Sequence, residues 1–333
     1  MKRHLTMNHL RGVLLCIFLF VTHFHLAGQT ELVGSLPGQF GVSALGGATY
    51  TIPLDLPSGV NGMQPTLSLV YNSQGGDGPV GNGWSLSGLS SISRVAPNIF
   101  TNGCLRGISY TLEDVFALDG NLLVLEQGTY GGDQSVYYTE SESFQRIESI
   151  GSDGNTGPEW FRVTCKDGRV LEYGHTGNSR TLLSTGEAGQ AVLATYRWLL
   201  SRVTDPNGNS VEYIYNSSSG TPVLKEIRYA NVSVQFSTTL REFPAHTFVS
   251  GRSQDEEYLY NTITVKANKS LLYTYRLEYR THQRNIWEVN HYFLNKVTSR
   301  APAGPAFLPP LSTMGTIMTS GKFAGCNTTM PIR

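Results

Sequence analysis

From Thr49 the chain alternates. Tyr50, Ile52, Leu54 and Leu56 fall on one side of TYTIPLDLP, with Thr49, Thr51, Pro53 and Asp55 on the other. A period of two turns one apolar face to a core and predicts a strand. PTLSLVYNS repeats the pattern with Leu67, Leu69 and Tyr71. Pro53 and Pro57 have no N–H to give to a ladder, which predicts an edge or irregular strand there. Hairpin signals follow. FALDGNLLVL turns at Asp119-Gly120. In WFRVTCKDGRVLEYG, Phe161, Val163 and Cys165 share a face, Asp167-Gly168 predicts a two-residue turn, and Val170 to Tyr173 returns. LLSRVTDPNGNSVEYIYN places strands on both sides of Asp205–Asn209, and YNTITVKANKSLLYTYRLEYR turns at Asn268. No long amphipathic helix stands out after the first residues. The fold class predicted is all-β, with many antiparallel strands.

Near the end the pattern stops. No carboxylate follows Glu288, and STMGTIMTSGKFAGCNTTMPIR shows neither strand alternation nor a helical face. Residues 313–333 are therefore expected to be an atypical tail.

Composition supports short strands joined by tight turns. Glycine numbers 36 of 333 residues, above the usual ~7%. Charged residues are only 15%, and there are 17 tyrosines and 14 phenylalanines. At the other end, Lys2, Arg3 and Arg11 precede the short apolar run Val13 to Val21, and small residues Ala27 and Gly28 follow. That order reads as a signal peptide over residues 1–28, cleaved near Ala27–Gly28. A membrane anchor is the rival reading, but the run is short of the roughly 20 residues a spanning helix needs. The mature chain is expected to have no transmembrane segment and to be secreted or held at the cell surface. It keeps 22 basic against 25 acidic residues, since residues 1–28 hold three basic residues and no acid. This balance gives no ground for nucleic-acid binding.

Export permits a disulfide, and Cys104 with Cys165 is the plausible pair. Two unpaired, partly buried thiols are the alternative.

Candidate chemistry is sparse. VGNGWSLSGLSSISR holds glycines and serines around Trp84, yet Leu86 stands where a dinucleotide fingerprint needs glycine, and Ser87 spoils a G-x-S-x-G turn at Ser85. Asp205, Asn207 and Asn209 could open a calcium loop. Ser210 and Asn216 then occupy the positions that need glycine and glutamate, so a turn is the reading taken. Glu140-Ser141-Glu142 has the Glu-x-Glu spacing of arginine-modifying ADP-ribosyltransferases, but no Ser-Thr-Ser occurs in the chain, and a polar strand face accounts for it. His175, His246, His282 and His291 form no metal-ligand spacing.

Ser43-x-x-Gly46-x-Ala48-x-Tyr50, Pro65-x-Leu67-x-Leu69-x-Tyr71-Asn72-Ser73 and Gly83-Trp84-Ser85-Leu86 together resemble the SpvB-type virulence plasmid B-protein family, whose N-terminal module also occurs in insecticidal toxin-complex B subunits. The resemblance continues to about Ser312, and DPNGN with YIYN resembles an Rhs/YD repeat over about 198–230, with Asn216 where its aspartate usually sits. With the readings of the two ends it divides the chain into three parts: a signal peptide over 1–28, an SpvB-type β-rich domain over 29–312, and an atypical tail over 313–333, read as a frameshifted end of a truncated copy. It also implies an open-edged sheet of the toxin-complex shell type.

The function this implies is an exported structural or delivery module, part of a β-shell that encloses a toxin, with protein partners and without its own effector domain. The alternative is an adhesin-like module recognising glycan or protein. The chain is expected not to be an enzyme. No catalytic, cofactor-binding or metal residue is assigned, and no cofactor is expected. Trp84 is read as a large anchor packed among small residues.

Overall fold

The computed structural model describes residues 36–154, 156–185, 193–218, 220–282, 290–302 and 316–318. The signal-peptide and cleavage-site readings, Cys326, and the tail other than 316–318 lie outside them. The chain opens with a small antiparallel sheet of β1 (Gln39–Val42), β2 (Ala48–Pro53), β3 (Ser68–Asn72) and β4 (Trp84–Ser87), paired in that order. The alternation at its centre holds. Ile52, Leu54, Leu67 and Leu69 are buried, and Pro53 sits at the end of the β2–β3 ladder, opposite Ser68.

An eight-stranded barrel follows. It runs through β5 (Ser91–Val95), β6 (Val115–Leu118), β7 (Asn121–Gln127), β8 (Val136–Thr139), β9 (Arg146–Ile150), β10 (Trp160–Thr164) and β11 (Val170–Tyr173). After β12 (Arg180–Ser184), β13 (Leu193–Thr204) closes it by pairing Arg197–Leu199 with β5 and Leu200–Thr204 with β11. A bulge at Glu172/Tyr173 lets β13 change partners, and Ser201 Oγ donates to Glu172 O there at 2.9 Å.

Beyond the barrel, β13 continues the sheet into β14 (Ser210–Ser218), β15 (Thr221–Tyr229), β16 (Val232–Val249), β17 (Arg252–Ala267), β18 (Ser270–His282), β19 (His291–Arg300) and β20 (Thr316–Met318). The YD-like segment is β13 to β15. β20 falls within the segment whose sequence lacks strand alternation. Backbone pairing of Thr316–Met318 with Lys296–Thr298 needs no alternation of side chains.

The turns follow their residues. Asp119-Gly120 and Asn268-Lys269 both have positive φ, as tight hairpin turns require. At Asp167-Gly168 the turn is longer than expected. Cys165 N–H donates to Arg169 O at 2.8 Å and Gly168 N–H to Cys165 O at 2.9 Å, while Asp167 Oδ1 accepts Arg169 N–H. A turn closed by a left-handed glycine takes one more residue than a two-residue loop.

The core runs through the barrel and along the buried face of the long sheet. In the barrel, Trp198 meets Phe116 and Phe161 edge-on, with centroids 5.4 and 5.1 Å away. Arg94 is buried beside them, its guanidinium over Phe116 and Trp198. Arg94 pairs with buried Asp114 at 3.2 Å and donates to the carbonyls of Thr195, Thr111 and Thr156. A second apolar cluster, Tyr110, Leu183 and Ala194, receives the tip of the β16–β17 hairpin, where Tyr110 OH donates to Val249 O at 2.8 Å.

Candidate assembly interface

The site is built by the loop between β3 and β4. Two glycines let it approach other backbone closely. Gly81 has φ +90°, and a Cβ there would lie 2.7 Å from Tyr292 O. Gly83 has φ +75°, and a Cβ would lie 2.7 Å from the Tyr71 ring. Trp84 follows at 6% exposure, its ring 5.5 Å from Tyr71. The stretch is the packing motif expected of it.

Its partners are distant in sequence. Pro79 O accepts Tyr260 N–H at 2.8 Å, and Asn82 N–H donates to Tyr292 O at 2.7 Å. Asp77 takes Arg241 at 3.0 Å and His291 at 3.3 Å. Arg241 reaches it from a bulge in β16 between Leu240 and Ala245, is itself buried, and also donates to Gly78 O. The loop thereby ties the first sheet to β16, β17 and β19. Tyrosines add further ties. Tyr229 OH donates to Pro57 O at 2.8 Å, and Tyr275 OH accepts Asp55 N–H at 2.9 Å. Burial pushes the Tyr229 hydroxyl up to about 12, so it stays a donor at neutral pH.

Glu256 faces this junction. Burial pushes its carboxyl up to about 7; Arg241 and Arg197 oppose that, and Asp77 adds to it. The folded state therefore holds a proton that the unfolded chain releases near its ordinary value of 4.5. Glu256 contributes stability that is full below about 4.5 and lost as pH rises through about 7. Urea unfolding at pH 5 and pH 8 should show this loss, and Glu256→Gln should remove about 2 kcal/mol of the pH dependence. An unchanged slope in the variant contradicts the assignment.

The sheet edges complete the site. Among the described residues, β1 is paired only with β2. Its outward side chains Phe40 and Val42 are 68% and 67% exposed, and nearby Leu45 is 84% exposed. No charged side chain occurs from Leu32 to Leu54. Edge strands are usually protected by charge, and β1 is not. The edge expected near Val297 is moved outward, because β20 covers Lys296–Thr298 and leaves β20 as the outer strand.

The remaining candidates separate. Asp205 Oδ1 accepts the N–H groups of Asn207 and Asn209, and Oδ2 accepts Asn209 and Asn61 amides, so the carboxylate organises the turn and fixes it to the first sheet. Glu140 and Glu142 lie exposed in the bend after β8 rather than on a strand, because β8 ends at Thr139, and Glu142 accepts Phe144 N–H. Cys104 and Cys165 are free thiols, Cys104 exposed and Cys165 at the β10–β11 turn. His175 pairs with Glu172, and His246 with Asp255; His282 lies in β18. Sequence reasoning missed Asp77, Arg241 and Glu256. Asp77 stands beside the glycine motif, but nothing local marks a partner 164 positions away.

Residues 42–291 match the family described as Salmonella virulence plasmid 65kDa B protein, SpvB. The chain belongs to this family. A mono(ADP-ribosyl)transferase SpvB of Salmonella typhimurium is 28% identical over 196 residues, which is 53% of this chain and 31% of the relative. That of Salmonella enteritidis is 29% identical over 199 residues, with the same shares. The chain spans about a third of the length of these relatives. Among solved structures, the fold is shared with TcdB2-TccC3-TEV at TM-score 0.63 and 16% identity, over 82% of this chain and 16% of that one. It is shared with the N-terminal domain of effector protein SpvB from Salmonella typhimurium strain LT2 at TM-score 0.57 and 20% identity, over 75% and 98%. A Tc holotoxin pore of Photorhabdus luminescens matches at TM-score 0.60 and 17% identity, over 82% and 16%.

These relatives correct one expectation. The chain was expected not to be an enzyme, whereas the relatives it matches within the SpvB family are named transferases. The expectation comes from the incomplete Glu140-x-Glu142 motif, from the absence of a nucleophile beside a base in the sequence, and from the resemblance, which implies a module without its own effector domain. The SpvB likeness is carried by residues 42–291 as a whole. The all-β, toxin-complex-type fold agrees with the sequence reading. Among the described residues no helix is long and apolar enough to cross a membrane.

Proposed function

We propose that this chain is an exported structural module of a protein-delivery shell, which joins neighbouring β-segments through its open sheet edges. The observation that carries this is the barrel running without a break into a long sheet, beside a small first sheet whose β1 edge is apolar and uncharged. The fold shared with parts of toxin complexes supports protein partners. The basic, apolar, small-residue order of residues 1–28 supports export, and the β-rich domain expected over residues 29–312 is the unit proposed to do the work.

The test uses the exported chain recovered from cells that make it. Wild type should migrate in native electrophoresis well above the mass of one chain, which is 36.5 kDa before cleavage, with an N-terminus near Gly28. Val42→Lys, which puts a charge on the open edge, should shift the chain toward its own mass with its melting temperature kept. Monomeric wild-type chain, or a Val42→Lys variant that assembles as well as wild type, contradicts the proposal.

A further inference from the structure

The long sheet splits between β15 and β16. Their ladder runs from Tyr229↔Val232 only to Glu226↔Gln235. Beyond it β15 stays with β14 as far as Thr221, while β16 goes on with β17. The split leaves a cleft of about 370 Å³, within the ~300–1,000 Å³ usual for small-molecule sites. Its floor is apolar, from Val223, buried Leu224 and buried Phe236.

The cleft's polar lining is exposed to solvent, apart from half-buried Tyr258. Asn178, Asn216, Ser217, Thr238 and Tyr258 supply two amides and three hydroxyls, and Lys225 supplies one cation. Among the described residues, each of these six side chains is without a hydrogen-bond or ion-pair partner in the protein. Elsewhere on the sheet such groups are used: Glu226, next to Lys225, takes Arg228, Ser233 and Gln235. Lys225 is the extra residue of a bulge in β15 opposite Ile214 and Tyr215, and no acidic side chain lines the cleft beside it.

Two occupants suit a split sheet. An added peptide strand would need the exposed rungs of β15. The Leu224 N–H, a rung just past the split, is already taken by Tyr260 OH at 3.1 Å. That blocks a ladder and leaves side-chain recognition. Amides and hydroxyls that both donate and accept match the hydroxyls of a sugar, and the Phe236 and Tyr258 rings offer apolar faces to its C–H side. A single lysine is too little for a phosphate cluster, and it suits one carboxylate.

We propose that the cleft between β15 and β16 binds a short acidic saccharide, with Lys225 on the carboxylate and Asn216, Asn178 and Thr238 on the hydroxyls. This does not depend on the delivery-shell reading, and either can fail alone.

The test is equilibrium binding of the full chain to immobilised sialyl-lactose and a uronic-acid disaccharide, with lactose and cellobiose as neutral controls. The acidic sugars should bind at millimolar concentration or below, and the neutral ones less well. Lys225→Ala should weaken acidic-sugar binding about tenfold, the share of one charge-assisted contact. Thr238→Trp, which fills the cleft, should abolish binding. Both positions are exposed, so melting temperatures should not change. No binding of either acidic sugar, equal binding of neutral sugars, or binding indifferent to both variants overturns the proposal. So does displacement of the sugar by an extended neutral peptide, which would assign the cleft to strand addition.

Discussion

Replacing Asp114 by alanine should cost about 3–5 kcal/mol, the loss expected when one partner of a buried ion pair is removed. Asp114 is fully buried and accepts five donors: Arg94, Arg106, the Ser109 N–H and hydroxyl, and the Tyr110 N–H. Without it the Arg94 guanidinium remains buried, its charge opposed only by carbonyl dipoles and the weaker influence of Asp153. Burial already pulls the Arg94 pKa down, and Asp114 is the largest influence raising it. Arg94→Met with Asp114→Leu removes both charges and fills their place. That double variant should recover only the part of the loss due to the unpaired Arg94, because the Tyr110 and Ser109 N–H groups still lack their acceptor. Denaturant unfolding of the three proteins measures both effects. A single variant within about 1 kcal/mol of wild type contradicts the role given to Asp114.

Trp84→Ala should cost about 3–5 kcal/mol, as deletion of a buried aromatic does. The effect should be spatially selective. Trp84 packs on Tyr71 within the first sheet, and the loop before it holds β17 and β19. Loss of the ring should therefore loosen the first sheet from the long sheet before the barrel opens. Hydrogen exchange should rise at Tyr260 and Asn82, whose N–H groups bridge the junction, while the Phe116–Phe161–Trp198 cluster stays protected. Uniform exchange across the chain, or unchanged stability, contradicts this picture.

How much of this was legible in the sequence depends on distance along the chain. Hairpins were readable because their signals are local. Asp119-Gly120 and Asn268 announce turns by residue type alone, and Tyr50 to Leu56 announces a face. Alternation gives a strand's face but not its neighbours. Closure of the barrel depends on β13 pairing with both β5 and β11, and no short stretch of Leu193–Thr204 encodes two partners. The Arg241–Asp77 pair spans 164 positions and uses a bulge that breaks alternation, so the pattern that reveals strands conceals it. The β15–β16 cleft is a place where pairing stops. A strand-like pattern continues through Val223 and Phe236 whether or not their strands meet.

The proposed role as one part of a larger β-walled assembly is checked by electron microscopy of the particle isolated from cells that make the chain. The map should show the barrel and the long sheet in this fold, with another β-strand paired along β1 at Gln39–Val42. A particle in which β1 faces solvent, or an isolated single chain with no neighbouring protein density, contradicts it.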